Sequence, residues 1–328
     1  MYKRMLVPLD GSELSEVAFE YAKEIAIRLD LDLILLNVCI PEESDLAPMH
    51  RAYITDAAEI VSSQSQDAPK RGGIRSGGKI PKARGELVFG KPAEEILSYA
   101  RGHKIDVILM ATHCHSEARC WIMGSVTTKV VRASSVPVWL VPECIAGEII
   151  YDEWPTKKIL VPLDGSEYAE SVLPHVETLA TQWGTGLVEI VLLRVCEIPL
   201  NSPIYGGSKL SNVWREHAWR EIIEREQTAK EYLTEIENRL TSNGLKVQTE
   251  VLSGKPANEI IGYIQNNPFN LIVMSTYGQS GITQWAHGSV TDKVIRAVSS
   301  PVFLVKPQLS YHFEPVWPFI NEEVFEHV

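Results

Sequence analysis

Three glycines, at 278, 281 and 288, punctuate a stretch that ends in Ser289, Val290 and Thr291. Glycine lets the backbone approach a ligand closely. A helix opening at Gly288-Ser289 would turn its unpaired N–H groups and positive dipole end outward, a natural seat for a phosphate. The hydroxyls of Ser289 and Thr291 would add donors. A glycine loop can also serve only to turn the chain, so this stretch does not stand alone. A second candidate is the run Val161-Pro162-Leu163-Asp164-Gly165-Ser166, which ends a short apolar segment in a carboxylate and a turn. His287 adjoins the helix start and could touch a phosphate, or could be an ordinary packed or solvated histidine.

Other candidates carry less. His113-Cys114-His115, with Cys120 nearby, offers imidazole and thiol ligands suited to zinc or copper. Consecutive residues chelate one ion poorly, however, and no spaced second pair follows. A redox-sensing thiol at Cys114, or plain loop residues, are the other readings. The run Gly85 to Pro92 nearly spells a P-loop, but Pro92 stands where a magnesium-binding hydroxyl is required. No G-x-S-x-G, H-E-x-x-H or EF-hand pattern occurs, and no nucleophile with its base can be placed.

The elements that must hold these residues come from a repeat. Residues 6–13 read LVPLDGSE, and 160–167 read the same; Gly90-Lys91-Pro92-Ala93 returns at 254–257, and Gly124-Ser125-Val126-Thr127 at 288–291. Each copy of roughly 140 residues is of domain size, not a solenoid repeat. The expected organisation is a first unit over 1–142, a linker over 143–156, a second unit over 157–307, and an aromatic arm over 308–328 that packs on its own chain or a partner. Within the second unit, apolar runs at 158–163, 187–195, 245–252, 270–275 and 301–305 predict strands. Between them, 167–183, 210–240, 256–265 and 288–297 predict helices. This alternation implies an α/β fold: a doubly wound, five-stranded parallel sheet in each unit, with ligands held beyond the carboxyl ends of the strands. Residues 62–83 of the first unit break the pattern with four glycines and two prolines, so its second helix should end near Val61.

A formal net charge of -11 disfavours nucleic acid and anionic membrane as partners. The apolar runs are too short to span a bilayer, and residues 1–20 hold no signal-peptide core. Five cysteines without a CxxC pair fit a reducing cytoplasm.

At the level of motifs, the chain resembles the universal stress protein family over nearly its whole length. That family pairs a first-strand V-x-D-G-S turn with a late G-x2-G-x9-G-[S/T] loop, and its members with the loop intact bind ATP. Here the late loop reads Ser275-x2-Gly278-x9-Gly288-Ser289, with serine for the first glycine. The resemblance implies a sheet order of 3-2-1-4-5 and an adenine nucleotide, ATP with or without Mg2+, in the second unit. It implies that Pro162, Asp164 and Val195 meet the adenosine half, while Ser275, Gly278, Gly288, Ser289 and Val290 hold phosphates. In the first unit the loop reads Ala111-x2-Cys114-x9-Gly124-Ser125, with Glu117 in place of Gly281, so that site should bind weakly or not at all. Family members commonly meet through their last strands. A tandem chain would satisfy that contact internally as a pseudo-dimer, with a homodimer also open to it. The implied role is a cytoplasmic stress-response sensor or regulator and not a fast enzyme. A non-binding interaction module and a slow ATPase stay open as rivals.

Overall fold

Runs of consecutive apolar residues must be buried on both faces, and here they form the strands of a parallel sheet flanked by helices. The computed structural model describes residues 1–64, 82–115, 120–151, 153–197, 212–277 and 289–307, with backbone alone at 64, 114, 115, 120–122 and 212–218. The first unit runs β1 (Arg4–Pro8), α1 (Glu13–Leu29), β2 (Asp32–Cys39), α2 (Ala47–Gln64), β3 (Ala83–Phe89), α3 (Pro92–Gly102), β4 (Val107–His115), β5 (Cys120–Ile122), α4 (Ser125–Ala133) and β6 (Val138–Pro142). After α5 (Gly147–Ile150) the second unit runs β7 (Lys157–Pro162), α6 (Glu167–Glu170), α7 (Leu173–Trp183), β8 (Val188–Cys196), α8 (Asn212–Ser242), β9 (Lys246–Ser253), α9 (Pro256–Asn266), β10 (Leu271–Ser275), α10 (Ser289–Ala297) and β11 (Val302–Val305). The strand orders β3-β2-β1-β4-β6 and β9-β8-β7-β10-β11 are the expected 3-2-1-4-5 arrangement, twice over.

The last strands meet. β6 and β11 pair antiparallel, with Trp139 opposite Phe303, so the two sheets join into one and neither unit leaves that edge open. The seam is filled by rings: fully buried Trp139 stands edge-on to Tyr21, Trp183 and Phe303 at 5.8, 6.2 and 5.4 Å between centroids. Gln182 of α7 accepts the Tyr2 N–H at 2.7 Å and donates to the carbonyls of Tyr2 and Leu29 at 2.9 and 2.8 Å, so one buried side chain ties the second unit to two segments of the first. The Tyr2 hydroxyl also meets Nδ1 of His175.

Some expectations need correction. The single helix over 167–183 is broken between α6 and α7. Pro174 has no N–H to give the carbonyl four residues back, and its ring crowds that carbonyl. In the first unit the matching position is Glu20, and α1 continues unbroken. Strand β5, antiparallel to β4, was not anticipated. Cys39 and Cys196 are free and buried, and Cys144 is disulfide-bonded. The glycine of each Gly-Lys-Pro-Ala motif is structural, as expected. Gly90 and Gly254 turn at φ +147° and +155°, and Pro92 and Pro256 start the helices that follow. Helix α2 runs past the expected Val61 to Gln64, where the described residues stop. The arm at 308–328 lies outside the described residues. Among the described residues no helix is long and apolar enough to cross a membrane.

Candidate functional site

Strand order reverses between β7 and β10, and at their carboxyl ends the second unit opens a cleft of about 990 Å³. Pro162 and Asp164 enter it from the end of β7, Val195 from the end of β8, and Ser275 from the end of β10. Ser289 and Val290 enter from the first turn of α10. Leu193, Ile260 and Met274 add apolar surface. Six sequence-derived residues therefore line one space. Gly278 and Gly288, with Gly281 and His287, lie outside the described residues.

Each side chain has a local reason for its place. Asp164 Oδ1 accepts the backbone N–H of Ser166 at 3.0 Å and its hydroxyl at 2.6 Å. Ser166 Oγ in turn accepts the Ala169 N–H at 3.1 Å and caps α6. Gly165 makes this turn possible at φ +81°. Ser275 is buried and its Oγ accepts the Tyr277 N–H at 3.3 Å. Its φ is not positive, so serine in place of glycine introduces no backbone strain there. Thr291 needs correction as a phosphate donor, because its hydroxyl donates to the Ser275 carbonyl at 3.0 Å and ties α10 to β10.

Sequence reasoning missed Arg194. Its guanidinium carbon lies 4.8 Å from the centroid of the Tyr232 ring, a cation–π contact inside the cleft wall. The space exists because residue 165 is glycine: a Cβ there would come within 2.3 Å of Arg194 Nη1. Burial first, and then the carboxylate of Glu170, push the Tyr232 phenol above its ordinary value. Burial also pushes the Cys196 thiol up, with Arg194 pulling the other way, so Cys196 is a poor thiolate. Helix α8 supplies further wall, where Arg225 pairs with Glu221 at 2.5 Å and donates to the Glu197 carbonyl at 3.2 Å. A charged residue inside the apolar run 188–196 was the signal for Arg194; nothing in α8 singled out its contribution.

A family model described as the universal stress protein family matches residues 1–142 and again 155–306. The chain belongs to the universal stress protein family. Two universal stress proteins of Methanocaldococcus jannaschii, MJ0531 and MJ0577, are 31% and 30% identical to it over 161 and 156 residues. Those matches cover 85% and 94% of the relatives but 49% and 46% of this chain. A universal stress protein of Archaeoglobus fulgidus shares the fold across both units, with a TM-score of 0.65 at 21% identity, covering 92% of this chain and 98% of that one.

This universal stress protein builds its first unit differently at the matching place. Asp10 and Ser12 repeat the turn, with the same 3.0 and 2.6 Å contacts. Asn37 stands where Arg194 stands; it is buried, and its amide donates to the Leu9 carbonyl at 2.8 Å. Helix α4 still opens after Gly124. Glu117 lies outside the described residues, as does the side chain of Cys114. Exposed His113 faces Glu143 at 3.8 Å, and the described residues hold no group of three metal-ligating side chains.

Proposed function

We propose that the second unit binds an adenine nucleotide, ATP first, and that the chain is a nucleotide-responsive regulator of the stress response. One observation carries this reading: six residues chosen from the sequence converge on one cleft at the point of strand reversal, where such folds hold ligands. Its volume falls within the roughly 300–1,000 Å³ typical of small-molecule sites. The residues suit the ligand. Val195, Pro162 and Met274 offer an apolar wall for a base, and Asp164 a carboxylate for the adenosine half. Ser289, with Gly278 and Gly288 by resemblance to the family's loop, sits where the start of α10 would attract phosphates. Ser275 lines the cleft without strain, which weakens the rival reading of a non-binding module.

Nucleotide can regulate only by binding two states of the protein unequally. The seam between β6 and β11 couples the units and is the surface such a shift would reach. The first unit then acts as a structural partner within an intramolecular pseudo-dimer, and any homodimer uses other surfaces. A cytoplasmic setting belongs to the same reading.

Mass spectrometry of the freshly purified, denatured protein tests it. Co-purified adenylate is expected, and its absence from the protein even after incubation with ATP would favour the interaction module. Gly288→Trp should abolish retention; adenylate that persists in that variant would move the site. Phosphate release above background that Gly288→Trp removes would instead support a slow ATPase.

A further inference from the structure

At the opposite, amino-terminal edge of the first unit's sheet lies a second cleft of about 600 Å³ with a different chemistry. Arg4, Lys82, Arg84, His103 and Lys104 line it, with Asp32 as the one acidic side chain among its lining residues. Four lysine and arginine side chains in one hollow stand out in a chain of formal net charge -11.

Several features point to a built arrangement. The Arg4 guanidinium is held by the His103 carbonyl at 3.0 Å, and that of Arg84 by the Tyr99 hydroxyl at 3.1 Å. These acceptors are neutral, so they orient the guanidiniums without cancelling their charge. His103 stacks on Tyr99 at 3.8 Å between ring centroids, which fixes the end of α3. The nearby carboxylates are tied to backbone donors and keep their charge: Asp32 accepts the Lys82 N–H at 3.3 Å, and Asp106 accepts those of Lys3 and Arg4 at 2.7 and 2.9 Å. Glu86 lies 3.5 Å from Arg84 as an exposed pair of little worth. Lys104 has φ +53°, a helix-ending position that favours glycine or asparagine. Lysine accepts strain there, and the cap itself gives no reason for it.

The second unit is an internal control. Strand registers set Lys158, Lys246 and Gln248 against Arg4, Lys82 and Arg84, while Asn267 and Pro268 follow α9 as His103 and Lys104 follow α3. There Lys158 faces Glu189 at 3.8 Å, and Lys246 donates to the Gly186 carbonyl at 3.3 Å. The fold alone therefore does not demand a basic cleft.

We propose that this cleft binds a compact polyanion bearing several phosphoryl groups, such as a short inorganic polyphosphate. Guanidinium and ammonium groups suit phosphoryl oxygens. The molecule's overall negative charge works against a long nucleic acid, whose phosphates extend far beyond the cleft, and less against a small anion seated within it. The site is independent of the proposed adenylate cleft.

Calorimetric titration of the full chain with tripolyphosphate at low ionic strength tests it. Saturable binding that weakens with added salt is expected. Lys82→Glu with Lys104→Glu, both exposed, should lower affinity at least about tenfold. Arg84→Gln, which installs the second unit's own residue, should lower it less, and Lys246→Glu should leave it unchanged. Circular dichroism of each variant checks the fold, and adenylate retention in the double variant should stay as in the parent. No binding by the parent protein, or full affinity in the folded double variant, overturns the proposal. Equal affinity for a single-stranded oligonucleotide would overturn the assignment to a compact anion. Binding of ATP at this cleft as tight as tripolyphosphate, read as an affinity lost in the double variant, would name a nucleotide tail as the source of the phosphoryl chain.

Discussion

The two units make the same turn after their first strands and then part company. Asp10-Gly11-Ser12 and Asp164-Gly165-Ser166 share their hydrogen bonds, their serine caps and a glycine at φ +81°. One strand over, the first unit fills the space with the Asn37 amide on the Leu9 carbonyl, whereas the second swings Arg194 onto Tyr232 and lines a cleft. The repeated motif is thus first a folding device: an aspartate side chain closes a turn and a serine caps a helix. A residue that serves the fold in both units cannot by itself mark a ligand site. Under the proposed function it is the divergent positions, Asn37 against Arg194 in the structure and Cys114 against Gly278 in the sequence, that would set the two units apart.

The largest test asks whether the units are separate bodies. Trp139→Ala empties the centre of the seam and should cost about 3–5 kcal/mol, read from urea unfolding. Trp139→Phe should cost clearly less, because the Trp139 indole N–H has no partner among the described residues and its loss leaves nothing unpaired. A Trp139→Ala protein with an unchanged midpoint would show that the units do not support each other.

Next come the paired glycines. Gly11→Ala and Gly165→Ala each force an L-residue into left-handed backbone, at about 1–2 kcal/mol. A Cβ at 11 meets nothing within 4 Å, whereas at 165 it collides with the end of the Arg194 side chain. That end is flexible, so the two stability losses should be similar. Only Gly165→Ala should displace Arg194 and alter adenylate retention. Equal retention in both variants would mean that Arg194 has no part in the cleft's chemistry.

Most of the fold was legible because its signals are local and doubled. Apolar runs of strand length and prolines opening α3 and α9 state their role twice over through the repeat, and Asn243-Gly244 closing α8 states its role once. The break at Pro174 was also written in the sequence, but the helical pattern around it carried the reading past it. The cleft was legible at its strand ends, where motif spacing fixes positions. Arg194, Tyr232 and Arg225 come together only through packing of α8 on β8, which periodicity does not reveal.

A smaller difference concerns acid. Burial pushes the Asp10 carboxyl up, but hydrogen bonds from the Ser12 side chain and backbone, together with those from Ser15 and its own backbone, outweigh it and hold Asp10 below the ordinary carboxylate range. Its contribution is therefore present above the unfolded value and lost as pH falls below about 4. Ser12→Ala should cost about 1 kcal/mol at neutral pH by removing the cap, and should flatten this acid limb. Thermal unfolding between pH 3 and 7, in steps of about one unit around the carboxylate range, reads both effects. An acid limb as steep in Ser12→Ala as in the parent would assign the sensitivity to other carboxylates.

The smallest effect lies at the seam. Burial holds the His175 imidazole below its usual value, so the folded chain keeps it neutral against the Tyr2 hydroxyl while the unfolded chain takes up a proton. Its contribution is complete above about pH 6.5 and is lost as pH falls toward the folded value. A loss confined to this window should weaken the Tyr2 contact in α7 and leave the sheet pairing of Trp139 with Phe303 in place. His175→Phe should abolish the change in unfolding midpoint between neutral pH and mild acid, because no proton can then enter there. A midpoint that still falls in this variant would place the titrating group elsewhere, and the seam would then be as indifferent to mild acid as the rest of the sheet.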